Sequence, residues 1–137
     1  MNLEQSSKPY HSSYSLVYSC QYHVIWCPKY RRKVLQEPLA GRLKALIEEK
    51  QDDYGYTVMG MEIMPDHVHL LLDAKPQMGI VSIVARIKGY TSHVLRTEYP
   101  WLKKRLPSLW TRSKFISTLG AVSLEVVQKY IENQKGV

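Results

Sequence analysis

The feature that most restricts the fold is the stretch from Tyr56 to Asp73, where "YTVMGMEIM" and "HVHLLLD" are separated only by Pro65 and Asp66. Pro-Asp suits a tight reversal, so these two runs are expected to be antiparallel neighbours in one sheet. The rest of the chain arranges itself around that hairpin. Upstream, "SLVYSCQYHVIW" (Ser15 to Trp26) is rich in aromatic and β-branched residues and reads as a first strand, ended by Pro28 and the basic run "KYRRK". Pro38 then opens a helix with Leu39, Leu43, Leu46 and Ile47 on one face and Lys44, Glu48, Glu49 and Lys50 on the other, closed by Gly55. Downstream, a longer helix from about Gly79 to Glu98 carries Ile80, Ile83, Val84, Ile87, Val94 and Leu95 as its buried stripe. Pro100 and Pro107 bracket a basic loop with Lys103, Lys104 and Arg105; "LWTRSKFI" (Leu109 to Ile116) reads as a fourth strand. After a break at Gly120, Ser123 caps a final helix running to about Lys135.

The order β-α-β-β-α-β plus one extra C-terminal helix points to an α+β, ferredoxin-like architecture, an antiparallel sheet with helices on one face and the other face open to a ligand. With 137 residues, 1–137 is expected to be one domain, preceded by a polar arm over residues 1–14. Lys+Arg exceed Asp+Glu by 19 − 12 = 7. A pI of 9.4 is what a small nucleic-acid binder presents, though other basic proteins share it. No run approaches the roughly 20 apolar residues that span a bilayer, and the N-terminus lacks the apolar core of a secretory signal, so a cytoplasmic protein without membrane contact is expected. Cys20 and Cys27 are too few for a disulfide scaffold and read as free thiols.

His67 and His69 alternate with Val68 and Leu70, so on a strand both imidazoles leave one face, roughly 7 Å apart along the chain. Taken alone, such a pair is either two exposed strand histidines or half of a metal site. Tyr130 and Gln134 lie four residues apart on the last helix, stacked with a rise of roughly 6 Å on a face beside the apolar stripe of Leu124, Val127 and Ile131. A zinc site made from Cys20, Cys27, His67 and His69 fails on geometry, because the odd spacing of the cysteines sends them to opposite faces of a strand.

Together, "HVH" in a central strand and a closing helix with Tyr-x-x-x-Gln closely resemble the HUH nucleases, and within them the single-tyrosine, TnpA-type transposases of bacterial and archaeal insertion sequences. The resemblance extends through "YHVIWCPKYRRKVL", "MPDHVHLLL", "LWTRSKF" and "YIENQ", nearly the whole chain. It implies that His67, His69 and Gln134 are metal ligands and that Tyr130 is the nucleophile. It also implies a substrate of single-stranded DNA with hairpins near the element ends, and a homodimer in which the tyrosine helix of one subunit completes the metal site of the other.

These residue types suit that chemistry. A tyrosine hydroxyl, with an ordinary pKa of roughly 10, needs help to attack a phosphodiester, and a divalent cation can give it. Two imidazoles and one amide, with neither thiolate nor carboxylate, favour Mg²⁺ or Mn²⁺. Lys29, Tyr30, Arg31, Arg32 and Lys33, Arg86 and Lys88 on the second helix, and Trp110, Arg112 and Lys114 near the fourth strand mix cations with stacking rings and are the expected DNA contacts. Two alternatives stay open: a metal-independent RNA or single-stranded nucleic-acid binding module on the same sheet topology, and a nuclease of the same superfamily acting on chromosomal repeats or replication origins.

Overall fold

The structure is a computed structural model that describes residues 11–13, 16–18, 20–118 and 124–137. Strands β1 (His11–Ser13) and β2 (Leu16–Tyr18) pair antiparallel as a small ribbon, followed by β3 (Gln21–Trp26) and a single 3₁₀ turn (Lys29–Arg31). Helices α1 (Leu39–Glu49) and α2 (Gln51–Tyr54) lead into the hairpin of β4 (Tyr56–Met64) and β5 (His67–Ala74); then come α3 (Ile80–Glu98), α4 (Trp101–Arg105), β6 (Phe115–Thr118) and α5 (Leu124–Glu132). The main sheet runs β4-β5-β3-β6 with every neighbour antiparallel, the ferredoxin-like order.

The hairpin forms where expected, with Met64 opposite His67 and Glu62 opposite His69. Strand alternation divides its residues between two faces. Val24 and Trp26 of β3 with Val68, Leu70, Leu72 and Ala74 of β5 join Leu39, Leu43, Leu46 and Ile47 of α1 and Ile83, Val84, Ile87 and Leu95 of α3 in one core. Ile80 and Val94, also assigned to the stripe, pack at its margin.

Several expectations need correction. The first strand is two: the run breaks between Tyr18 and Gln21, and its first part pairs with residues 11–13, which belong to the ribbon and not to a free arm. The basic loop after Pro100 is a helical turn, α4, because Leu102 is buried in the core while Lys103, Lys104 and Arg105 stay wet. The fourth strand is interrupted. Trp110 bridges Pro28, and Phe115 pairs with Ile25, so five steps of one segment face three of the other and residues 111–114 bulge out of the ladder. Trp110 swings inward, its ring edge-on to Trp26 at 5.7 Å with Nε1 donating to Thr91 Oγ1 at 3.1 Å. The last helix ends at Glu132, short of Lys135. Ser123 and Gly120, assigned to a cap and a break, lie outside the described residues.

Gly55 closes α2 at φ 80°, and a Cβ there would come within 2.7 Å of Met78 Cγ. Gly55→Ala is expected to lower stability by about 1–3 kcal/mol, through left-handed strain plus displacement of Met78. A urea midpoint that falls with an unchanged m-value would register this; an unmoved midpoint would contradict it.

Candidate active site

The second face of the sheet carries His67 and His69 of β5 beside His23 and Ile25 of β3 and Phe115 of β6. It is not the open face expected from the element order, since His23, Ile25, His69 and Leu71 are all buried. Part of the reason is visible in α5, whose Tyr130 ring lies 5.5 Å from that of Phe115. His67 keeps 18% of its side chain exposed, and its Nδ1 is 2.9 Å from Asp66 Oδ1. His69 Nε2 approaches His23 Nδ1 at 3.4 Å. Burial first, then the neighbouring His23 and His67 imidazoles, press the His69 pKa down to about 4. At neutral pH that ring is uncharged and retains a lone pair.

Tyr130 and Gln134 are brought together as the helical spacing required, by a residue that spacing could not reveal. Ser113, in the bulge between Trp110 and β6, lies 2.8 Å from Tyr130 Oη and donates to Gln134 Oε1 at 2.7 Å. Gln134 follows the last helical turn and is buried. Burial raises the Tyr130 pKa to about 12, with the Ser113 hydrogen bond opposing the shift. The phenol is therefore fully protonated at neutral pH.

The bulge itself is held by Lys88, whose Nζ donates to the carbonyls of Thr111, Arg112 and Ser113 at 2.7, 3.4 and 3.1 Å. Its pKa falls to about 8, through burial first and the Lys114 cation second. The tyrosine helix and His67 are linked through two further side chains, Arg31 and Asp66. Arg31 donates from Nη1 to the Ile131 carbonyl at 3.2 Å and pairs through Nε with Asp66 Oδ2 at 3.3 Å, and Asp66 holds His67. The Tyr30 amide also donates to the Val137 carbonyl at 3.0 Å, fastening the chain's end to the 3₁₀ turn.

Among the expected DNA contacts, Arg32, Lys33, Arg86 and Arg112 are exposed, Tyr30 is 39% exposed, and Lys29 and Lys114 are half-buried. Lys29 Nζ sits 5.2 Å from the Tyr30 ring centre. Lys88 and Trp110 are corrected. Both are buried and bonded internally, because the interrupted strand turns Trp110 into the core and requires a cation under its carbonyls. Arg31 is likewise spent on internal partners, with 14% of its side chain exposed. Asp66 and Ser113 were missed. Asp66 had a signal, an acidic residue immediately before a histidine strand, whereas Ser113 stands in an aperiodic segment and had none.

Residues 16–134 match the family described as "Transposase IS200 like". The chain is 42% identical over 120 residues to the ISDra2 transposase TnpA of Deinococcus radiodurans, covering 86% of each, and 27% identical over 119 residues to the transposase for insertion sequence element IS200 of Salmonella typhimurium, covering 85% of this chain and 78% of that one. A crystal structure described as a transposase from Deinococcus radiodurans superposes with TM-score 0.85 at 34% identity, covering 93% of this chain and 99% of the other. A REP-associated tyrosine transposase bound to a REP hairpin shares the fold at TM-score 0.57 and 14% identity, covering 89% of this chain and 69% of that one. With a family match over most of its length and a relative 42% identical across 86% of it, the chain belongs to the IS200-like transposase family.

Proposed function

We propose that this transposase cuts and rejoins single-stranded DNA at insertion-sequence ends through a 5′-phosphotyrosine intermediate, with Tyr130 as nucleophile and with subterminal hairpins read by the exposed basic residues Arg32, Lys33, Arg86 and Arg112. The observation that carries this reading is the cluster of Tyr130, Ser113 and Gln134 at the end of a helix whose Ile131 carbonyl accepts from Arg31, while Arg31 pairs with Asp66 and Asp66 with His67.

The residues fit a divalent cation. Among the described residues no three His, Cys, Asp or Glu side chains gather as a metal group, so His67 and His69 require an amide or substrate oxygen to complete a coordination shell. Gln134 is the amide available. His69 is held neutral by burial, and an Nδ1–H given by His67 to Asp66 leaves the opposite ring nitrogen as a donor to metal, the usual companion of a ligating histidine. Mg²⁺ or Mn²⁺ bound by His67, His69 and Gln134 would neutralise charge on the scissile phosphate.

The chain's own groups supply the rest. Tyr130 Oη attacks phosphorus, the bond to the 3′ oxygen breaks, and the phenolic proton is balanced by the one the departing 3′ oxygen takes up. Ser113, accepting from the phenol, fixes the direction of Oη. The new phosphotyrosine ester is itself a phosphodiester, so a second 3′-OH can reverse the step and join strands without ATP. We extend the proposal to a homodimer in which the tyrosine helix leaves the place it holds here beside its own chain's Arg31 and serves the histidines of the other copy.

The test is a denaturing gel of full-length protein with labelled single-stranded DNA carrying the element's ends. A covalent protein–DNA band is expected with Mn²⁺ or Mg²⁺ and none after chelation by EDTA. A band that persists in EDTA would overturn the metal assignment, and no band with either ion would overturn the phosphotyrosine route.

A further inference from the structure

Tyr30 and Arg31 are consecutive non-glycine residues in the left-handed region, at φ 59° and 52°. Such strain persists only where its surroundings enforce it. Here the backbone is pinned by Lys29 N to the Leu109 carbonyl at 2.8 Å, Tyr30 N to the Val137 carbonyl at 3.0 Å and Arg31 N to the Pro28 carbonyl at 2.8 Å. The result is a guanidinium facing in two directions. One side reaches the C-terminal end of the tyrosine helix, at the Ile131 carbonyl and at Glu132 Oε2, 3.3 Å away. The other reaches Asp66 Oδ2, while the second oxygen of that carboxylate lies on His67 Nδ1.

We infer that Arg31 is a positioning residue that couples docking of the tyrosine helix to the orientation of His67. A cation at a helix C-terminus stabilises the free carbonyls there, so the helix docks more firmly with Arg31 in place. The same cation orients Asp66, and Asp66 selects the ring orientation and tautomer of His67. Glu132, 68% exposed on its side chain, contributes less than the Ile131 carbonyl, because a solvated ion pair is weak. Helix and histidine are thus made ready by one side chain, and release of the helix loosens the carboxylate behind the histidine. The inference rests on the reading of His67 as a metal ligand.

Its test uses the full chain and Mn²⁺ alone, with affinity followed calorimetrically for wild type, Arg31→Gln, Asp66→Asn and the double variant. Arg31→Gln and Asp66→Asn are each expected to weaken Mn²⁺ about tenfold. The double variant is expected to be no weaker than the weaker single one, because Arg31 acts through Asp66. In metal-free protein, Arg31→Gln is expected to speed amide exchange across Leu124–Glu132. Wild-type Mn²⁺ affinity in Arg31→Gln, additive losses in the double variant, or unchanged exchange would each overturn the coupling. If Arg31→Gln fails to fold, Arg31→Lys takes its place: one ammonium cannot serve the Ile131 carbonyl and Asp66 together, so either Mn²⁺ affinity or exchange protection across Leu124–Glu132 is expected to fall, and wild-type values of both would overturn the coupling. Failure of the underlying reading looks different: wild type that binds no Mn²⁺, or His67→Ala that binds it as tightly, removes the metal site and the coupling with it.

Discussion

Tyr130→Phe is expected to abolish the covalent DNA adduct and to reduce strand cleavage by on the order of 10⁴-fold or more, the scale of loss when a nucleophile is removed from a preorganised site. The change deletes one oxygen. The substituted side chain would keep its ring against Phe115, and Ser113 would keep Gln134, so the loss of stability should be no more than about 1 kcal/mol. Activity lost with the melting curve nearly unmoved would identify Oη as the attacking atom; a variant that still cleaves would remove Tyr130 from that role. The same variant tests the homodimer. Mixed with His67→Ala, Tyr130→Phe should recover adduct formation if the helix of one copy works on the histidines of the other, since a hybrid dimer then holds one intact site. No recovery at any mixing ratio would place nucleophile and histidines in one chain.

The hairpin, both long helices and the sheet order were legible because each rests on a local signal: a two-residue connection, apolar residues at helical spacing, glycine or proline at the ends. Register and face were legible too, which put His67 and His69 together. Spacing set Tyr130 and Gln134 on one side of the last helix, but Gln134 follows the helix end and it is Ser113 that links the two. The failures share a cause. Lys88 and Trp110 looked like DNA contacts because lysine ordinarily faces solvent and an indole among basic residues suits base stacking, and nothing local to either announces that the fourth strand is interrupted. Their burial is set by the residues 111–114 bulge, a feature of pairing between segments far apart in the chain. Arg31 was misread for the same reason. Its neighbours Arg32 and Lys33 are wet, and only the left-handed backbone at Tyr30 and Arg31 turns this one side chain inward. Single-sequence reasoning reads periodicity well and long-range polar partnership poorly, since hydrogen-bond partners leave no spacing behind.

Lys88→Met is the substitution that separates these readings most sharply, with an expected loss of about 2–4 kcal/mol in stability at neutral pH. Methionine fills most of the lysine's volume but donates nothing to the three carbonyls that Nζ now serves. With those carbonyls unpartnered the bulge relaxes, and Ser113, fixed at its end, no longer aligns Tyr130 with Gln134. Adduct formation should therefore fall further than the unfolded fraction explains. The salt dependence of DNA binding should stay as in wild type, because a buried ammonium releases no counterion, whereas Arg112→Gln, at an exposed neighbour, should flatten the slope of log K against log salt by about one. The pH dependence carries its own sign. The folded pKa near 8 lies below that of the unfolded chain, roughly 10.4, so between these values the unfolded chain binds more protons and wild-type stability rises with pH. Lys88→Met lacks that rise, and the gap between the two proteins should widen from pH 8 to pH 10 in chemical-denaturation curves. A constant gap, with a flattened salt slope in the methionine variant, would return Lys88 to the surface and to the DNA.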